Sequence, residues 1–266
     1  MKTRIISAFI MCAIAIPIII IGGITFKIFA MVLGVLSVYE AMHIRKNDKP
    51  IPLGIRIISY LLIGVFVYLG TNVYSSNYDL IYKIITAIFL IYFIPVVFIN
   101  DTKKYNITDA LYALGTTMFL AIAYNSSVMV MNNNLSIFLY LILITIMTDT
   151  FAFFTGYFIG KNKLCEKISP KKTWEGAVGG TIVATAIGVI FYIFVVDNTI
   201  NIEALLIITI LLSIIGQVGD LFFSSIKRYY KVKDFSNLIP GHGGILDRLD
   251  SFIFVVLTYI LFINLL

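Results

Sequence analysis

Apolar stretches recur from one end of this chain to the other, and they limit its fold more than any other feature. A helix crossing the hydrocarbon core of a bilayer needs about 20 consecutive, predominantly apolar residues. Stretches near that length run roughly Ile5 to Ile21, Ile24 to Met42, Ile51 to Gly70, Ile81 to Ile99, Ala110 to Tyr124, Leu135 to Gly160, Ala177 to Val196, Ala204 to Phe223 and Leu249 to Leu266. Their spacing predicts about nine membrane helices and leaves no stretch from which a separate soluble domain could be built. With 60% hydrophobic and only 13% charged residues among 266, the chain carries more apolar matter than one soluble core can bury. The expected fold class is therefore an all-α polytopic integral membrane protein, with the first two stretches as two spans or a re-entrant hairpin.

The distribution of cations orients these spans. The opening MKTRIISAFIMCAIAIPIII imitates a secretory signal, but so many spans follow that an uncleaved first helix is expected. With the N-terminus in the cytoplasm, every Lys and Arg except Lys27 and Lys83 falls in or beside a cytoplasmic segment. The opposite loops TNVYSSNYD, NSSVMVMNNN and DNTINIE are polar or acidic, and the C-terminus is expected outside. The net charge of +6 thus belongs to one face, suited to anionic headgroups or phosphorylated ligands. No soluble module exists to carry a nucleic-acid-binding surface, and two widely separated cysteines, Cys12 and Cys165, offer neither a disulfide nor a thiolate metal site.

The chain changes character near its middle. Residues 1–134 read as scaffold helices with short loops, and residues 135–266 as the catalytic part of one continuous membrane domain, because acids enter the helices there and two loops, Lys161 to Glu175 and Ser225 to Arg248, become long and basic. No internal repeat of the kind common in transporters is visible.

Asp149 lies well inside the sixth stretch, where a carboxylate costs at least about 2.5 kcal/mol unless it meets a cation, a polar cavity or a hydrogen-bonding neighbour such as Thr145 or Thr148. Asp220 lies near the cytoplasmic end of the eighth, where snorkelling could also accommodate it. Asp247 and Asp250 are spaced to share one helix face, or else to cap the last helix. Three acids at one membrane face repel unless a cation holds them. Mg2+ fits, since it takes one or two carboxylates and completes its shell with water and phosphates; a second cation such as K+ could sit beside it, with Asp149 as a further candidate ligand.

The neighbouring cations point to phosphate. Lys227, Arg228, Lys231, Lys233 and Arg248 flank the acids, and the PGHGG turn, with His242, Gly243 and Gly244, offers backbone amides to an anion. In KISPKKTWEG, Ser169 and Pro170 are placed as a helix N-cap and first residue, which would aim backbone amides, Lys171, Lys172 and the adjoining Thr173 at the same kind of ligand. Gly156 and Gly160 read as helix-packing positions, and Trp174 as an interfacial anchor.

The stretch SSIKRYYKVKDFSNLIPGHGGILDRLDS resembles the signature of the phosphatidate cytidylyltransferases, or CDP-diacylglycerol synthases. Ser224, Ile226, Lys227, Arg228, Lys233, Asp234, Ser236, Pro240, His242, Gly243, Gly244, Asp247, Arg248 and Asp250 fill that signature without a departure. DTFAFFTGYFIGK, SPKKTWEG and GQVGDLFFSSIKR are similar to further stretches of the family, so the likeness covers Leu135 to the C-terminus by motif and the first half by hydropathy. It implies a CTP-dependent integral membrane enzyme that requires a divalent cation, with Asp220 and Asp247 in the metal centre.

The reaction expected on this basis joins CTP to phosphatidic acid, giving CDP-diacylglycerol and pyrophosphate, at a cytoplasmic site in a bacterial inner membrane. Asp220, Asp247, Asp250, Lys227, Arg228 and Arg248 are the expected catalytic residues. Ser169, Lys171, Lys172, Thr173, Ser224, Lys233, His242, Gly243 and Gly244 are the expected substrate contacts. The lipid bilayer and the two substrates are the expected partners, and a second copy of the chain is a candidate. A CTP-dependent lipid kinase of the polyprenol or phytol type would instead release CDP, and a cation-coupled transporter would consume no nucleotide.

Overall fold

The computed structural model describes residues 2–73, 78–99, 101–197 and 199–262, and helix dominates it. Among these residues nine α-helices follow one another: α1 Lys2–Ile21, α2 Gly23–His43, α3 Leu53–Val73, α4 Tyr78–Phe98, α5 Ile107–Asn133, α6 Leu135–Ile159, α7 Trp174–Phe191, α8 Ile202–Tyr229 and α9 Leu246–Phe262. Six of them, α1, α2, α5, α6, α7 and α8, are long and apolar enough to cross a membrane. The described apolar parts of α3 and α4, Leu53–Tyr68 and Lys83–Phe98, are shorter, and α9 has 17 residues. Phe9, Val97, Phe98, Tyr157, Phe158 and Phe194 stand largely uncovered, an apolar exterior suited to lipid. The fold is that of an all-α membrane protein, with one small addition that the sequence reading did not include, an antiparallel ribbon of β1 (Lys163–Cys165) and β2 (Ser169–Thr173). The end of the last expected span, residues 263–266, lies outside the described residues, as do 74–77, 100 and 198 in or beside expected loops.

The chain forms two compact units. The first comprises Met1–Met129 and Val232–Asp247, the second Val130–Lys231 and Arg248–Leu266.

In the first unit, α1 and α2 are distinct helices separated at Gly22 and Gly23, whose φ angles of 63° and 54° lie in the left-handed region that residues with a Cβ avoid. Lys27, one of the two cations that the sequence left on the wrong side, is buried in α2 with its ammonium 4.7 Å from the centre of the Tyr68 ring. Hydroxyls tie the helices together: Ser37 with Tyr124 at 2.6 Å, and Ser59 with Tyr92 at 2.6 Å, whose phenol also donates to Thr117. Asp109, at the start of α5, is buried against both Arg45, at 2.5 Å, and Lys49.

In the second unit, α6 and α7 pack almost backbone to backbone. A Cβ on Gly180 would stand 2.7 Å from the Thr148 carbonyl oxygen, and one on Gly176 would stand 2.6 Å from that of Ala152. Gly156 and Gly160 do serve packing, since a Cβ on either would strike the Thr173 hydroxyl. Small residues permit such approach between membrane helices, and side-chain hydroxyls bind them across the gap. Tyr140 meets Thr209 at 2.7 Å, and Thr148 meets Ser213 at 2.8 Å.

One expected helix start is corrected. Ser169 and Pro170 do not open a helix; they lie in β2, and Thr173 caps α7 by accepting a hydrogen bond from the Gly176 amide at 3.1 Å. Pairing with β1 keeps the lysine-bearing segment extended, so local N-cap preference does not decide its conformation.

Candidate active site

Helices α6, α8 and α9 and strand β2 assemble a charged cluster within the second unit. Asp220, near the end of α8, takes Lys172 of β2 as its counterion, Nζ to Oδ2 at 2.5 Å, and accepts a hydrogen bond from Ser224 one turn later on Oδ1 at 3.2 Å. Asp149 of α6 is within electrostatic reach of Asp220 and Lys172, with Ser251 beside it. Asp250 of α9 is within reach of Asp220, Asp149 and the buried Lys227. Three carboxylates therefore face two lysines. Asp149 is exposed in spite of its mid-helix position, while Asp220 and Asp250 are half-buried. The expected alternative for Asp149, a bond from Thr145 or Thr148, is not found: Thr145 donates to the Leu141 carbonyl, and Thr148 is joined to Ser213.

The strand explains why two adjacent lysines differ. Side chains alternate across an extended segment, so Lys172 meets Asp220 while Lys171 is exposed to the other side. Arg228 is exposed, and its Nε donates to the Ile168 carbonyl, fastening the end of α8 to the β1–β2 turn. Arg248 is exposed at the start of α9.

The remaining signature residues lie in the first unit, on the loop that leads into α9. Asp247 is in the first turn of that helix, not at its cap, and its Oδ2 accepts from the amides of Phe235 and Gly244, both at 2.9 Å. The PGHGG turn uses its amides differently from the anion cradle that the sequence led us to expect. His242 and Gly243 donate to the Ile239 carbonyl, Gly244 to Asp247, and Ile245 and Leu246 to Glu40. The turn's glycines answer steric demands instead. Gly243 has φ 86°, and a Cβ there would stand 2.9 Å from Asp247 Oδ2; a Cβ on Gly244 would stand 2.6 Å from the Glu40 carboxylate. His242 is anchored rather than poised, with Nδ1 2.8 Å from the Ser7 hydroxyl, which also donates to the Pro240 carbonyl. Lys233 is exposed and, with Tyr39, His43, Asp234, Ser236 and Asn237, lines an open cavity of about 600 Å³.

Glu40 and Ser7 were missed by the sequence reading, which took the first half as scaffold. One signal was available, because Glu40 is the sole carboxylate within the first five predicted spans.

Fold and site together define a helical membrane protein whose charged cluster, hard oxygen donors set among lysines, suits phosphate chemistry. Comparison with known proteins narrows this. The family model described as "Cytidylyltransferase family" matches residues 2–266. Relatives named phosphatidate cytidylyltransferase include those of Staphylococcus haemolyticus and Staphylococcus saprophyticus, each 35% identical, and of Staphylococcus aureus, 32% identical, in every case over 96% of both chains. The chain belongs to the cytidylyltransferase family and is a nucleotidyltransferase.

The donor chemistry of the cluster fits a magnesium ion. Among the described residues no three His, Cys, Asp or Glu side chains form a complete metal cage. Mg2+ does not need one, since it binds through one or two carboxylates, retained waters and substrate phosphates. Asp220 and Asp250 are all-oxygen donors of this kind, and Lys172 and Lys227 balance their charge.

Proposed function

We propose that this protein transfers the cytidylyl group of CTP to phosphatidic acid. A phosphate oxygen of the lipid forms a bond to the α-phosphorus of CTP, the bond from that phosphorus to the bridging oxygen of the β-phosphate breaks, and pyrophosphate leaves with the electron pair. A phosphate monoester is already anionic near neutral pH, so no general base is required. The work left to the protein is positioning and charge stabilisation. The observation that carries this reading is the cluster of Asp149, Asp220 and Asp250 around Lys172 and Lys227, in a chain matched over 96% of its length by a phosphatidate cytidylyltransferase.

Asp220 and Asp250 are proposed to hold Mg2+ because their carboxylates interact electrostatically, and Asp247 because of the signature it fills. The ion would supply neutralisation of charge on the triphosphate and the leaving group. Lys172, Lys227, Arg228 and Arg248 bind and orient phosphates, and Ser224 holds the Asp220 carboxylate in place. Lys171 faces away from Asp220 and is assigned to lipid headgroups. Nine crossings with a cytoplasmic N-terminus would put the basic loops, and with them the site, on the cytoplasmic side of a bacterial inner membrane. There a water-soluble nucleotide and a lipid phosphate can meet.

The test is turnover by purified protein in detergent micelles containing phosphatidic acid, CTP and Mg2+, with the nucleotide and lipid products both analysed. Equal amounts of pyrophosphate and CDP-diacylglycerol, lost with EDTA and restored with Mg2+, are expected. Release of CDP with an alcohol acceptor would mean γ-phosphoryl transfer and overturn the assignment.

A further inference from the structure

Helix α9 begins without a local cap. The residue before it, Ile245, has no side-chain oxygen, yet the first amides of a helix need acceptors from somewhere. They obtain one from far away in the sequence. Glu40, fully buried near the end of α2, accepts from the Leu246 amide on Oε2 and from the Ile245 amide on Oε1, both at 2.9 Å. Its Oε1 also accepts from the Ser236 hydroxyl at 2.6 Å, and Ser236 in turn accepts from the Leu238 amide at 3.1 Å. A single carboxylate thus fastens both ends of the signature loop, and its negative charge lies where the helix dipole favours one.

This grip has a definite consequence for Asp247. The Oδ2 of Asp247 accepts from Phe235 and Gly244, and each of those residues is directly followed by one that Glu40 binds, Ser236 or Ile245. The two carboxylates therefore hold neighbouring residues at both ends of the loop. Gly244 stands where it does because any side chain would collide with the Glu40 carboxylate.

We propose that Glu40 is a positioning residue for the transfer reaction: it caps α9 from a distance and locks the loop from Phe235 to Leu246, so that Asp247 is presented in one orientation. The proposal rests on the reading of Asp247 as a working carboxylate. Glu40 itself touches no substrate. Removing groups that orient metal-binding carboxylates costs about 10- to 100-fold in metal affinity or activity, and an effect of that size is expected here.

The experiment compares the wild-type protein with Glu40→Gln, Glu40→Ala and Ser236→Ala, each purified in detergent, by amide hydrogen exchange and by turnover against Mg2+ concentration. Glutamine keeps the shape but turns an NH2 group toward donors. In both Glu40 variants faster exchange is expected at Leu238, Ile245 and Leu246, with α5 to α8 as protected as before. The Mg2+ concentration for half-maximal rate should rise, or the maximal rate fall, by the factor given above. Ser236→Ala keeps both backbone bonds to Glu40 and should lose less. Unchanged exchange and Mg2+ dependence in Glu40→Gln and Glu40→Ala would overturn the proposal. So would loss of protection throughout the molecule, which would make Glu40 a general folding element. If the wild-type protein performs no cytidylyl transfer, the functional reading fails instead, and the exchange pattern still reveals whether the clamp exists.

Discussion

Replacing Gly180 by alanine tests the close packing that sets α7 against α6. The new Cβ would stand 2.7 Å from the Thr148 carbonyl oxygen, 2.8 Å from the Ala152 Cβ and 2.9 Å from the Ala152 amide nitrogen, against 3.4 Å where ordinary contact begins. Two of the three obstacles are backbone atoms, so no side-chain rotation relieves the clash and the helices must separate by several tenths of an ångström. Overpacking of this kind costs about 1–3 kcal/mol. At about 2–4 °C per kcal/mol for a chain of this size, the midpoint of thermal unfolding should fall by roughly 2–12 °C. Trp174, the only tryptophan, opens α7 and reports the transition by fluorescence in detergent. Gly115→Ala is the control: it lies in α5 with nothing within 4 Å of the new Cβ, and it should gain up to about 1 kcal/mol of helix propensity. Turnover should fall with Gly180→Ala as well, because α6 carries Asp149 and the strand before α7 carries Lys172. A Gly180→Ala protein as stable as wild type, or less affected than Gly115→Ala, would refute the packing argument.

Asp247→Asn should abolish turnover with little change in unfolding temperature, because the amide's carbonyl oxygen can still accept from Phe235 and Gly244 while the charge is lost; pyrophosphate release together with a melting curve checks this. Lys172→Met leaves Asp220 without its counterion and should lower turnover by about 10- to 100-fold, as removal of an orienting partner does, measured at saturating CTP. Asp109→Ala strands the buried Arg45 and the half-buried Lys49, and should destabilise the protein by about 3–5 kcal/mol in denaturant titrations.

The membrane class and the residues of the charged cluster could be picked out in the sequence, for a physical reason. Crossing a bilayer is a local requirement, met within each stretch by length and composition, so the helices could be read one at a time. The signature residues are likewise close together in the chain, and their charge stands out against an apolar background. Lys172 and Asp220, almost fifty residues apart, could be picked individually as phosphate and metal candidates, but only the folded chain makes them an ion pair.

What the tertiary structure alone decided is which donor meets which acceptor. Ser169 and Pro170 carry a helix-start pattern, yet pairing with Lys163–Cys165 makes the segment a strand, and that alternation separates the roles of Lys171 and Lys172. The glycine turn reads as an anion cradle, yet the amides of His242 and Gly243 are taken by Ile239 and that of Gly244 by Asp247, and the next two, of Ile245 and Leu246, by Glu40. Glu40 stands 205 residues from Ile245 and 206 from Leu246, in the half that looked like scaffold. A sequence shows that buried amides need partners. Which distant carboxylate supplies them depends on how the helices pack, and that is a property of the whole fold.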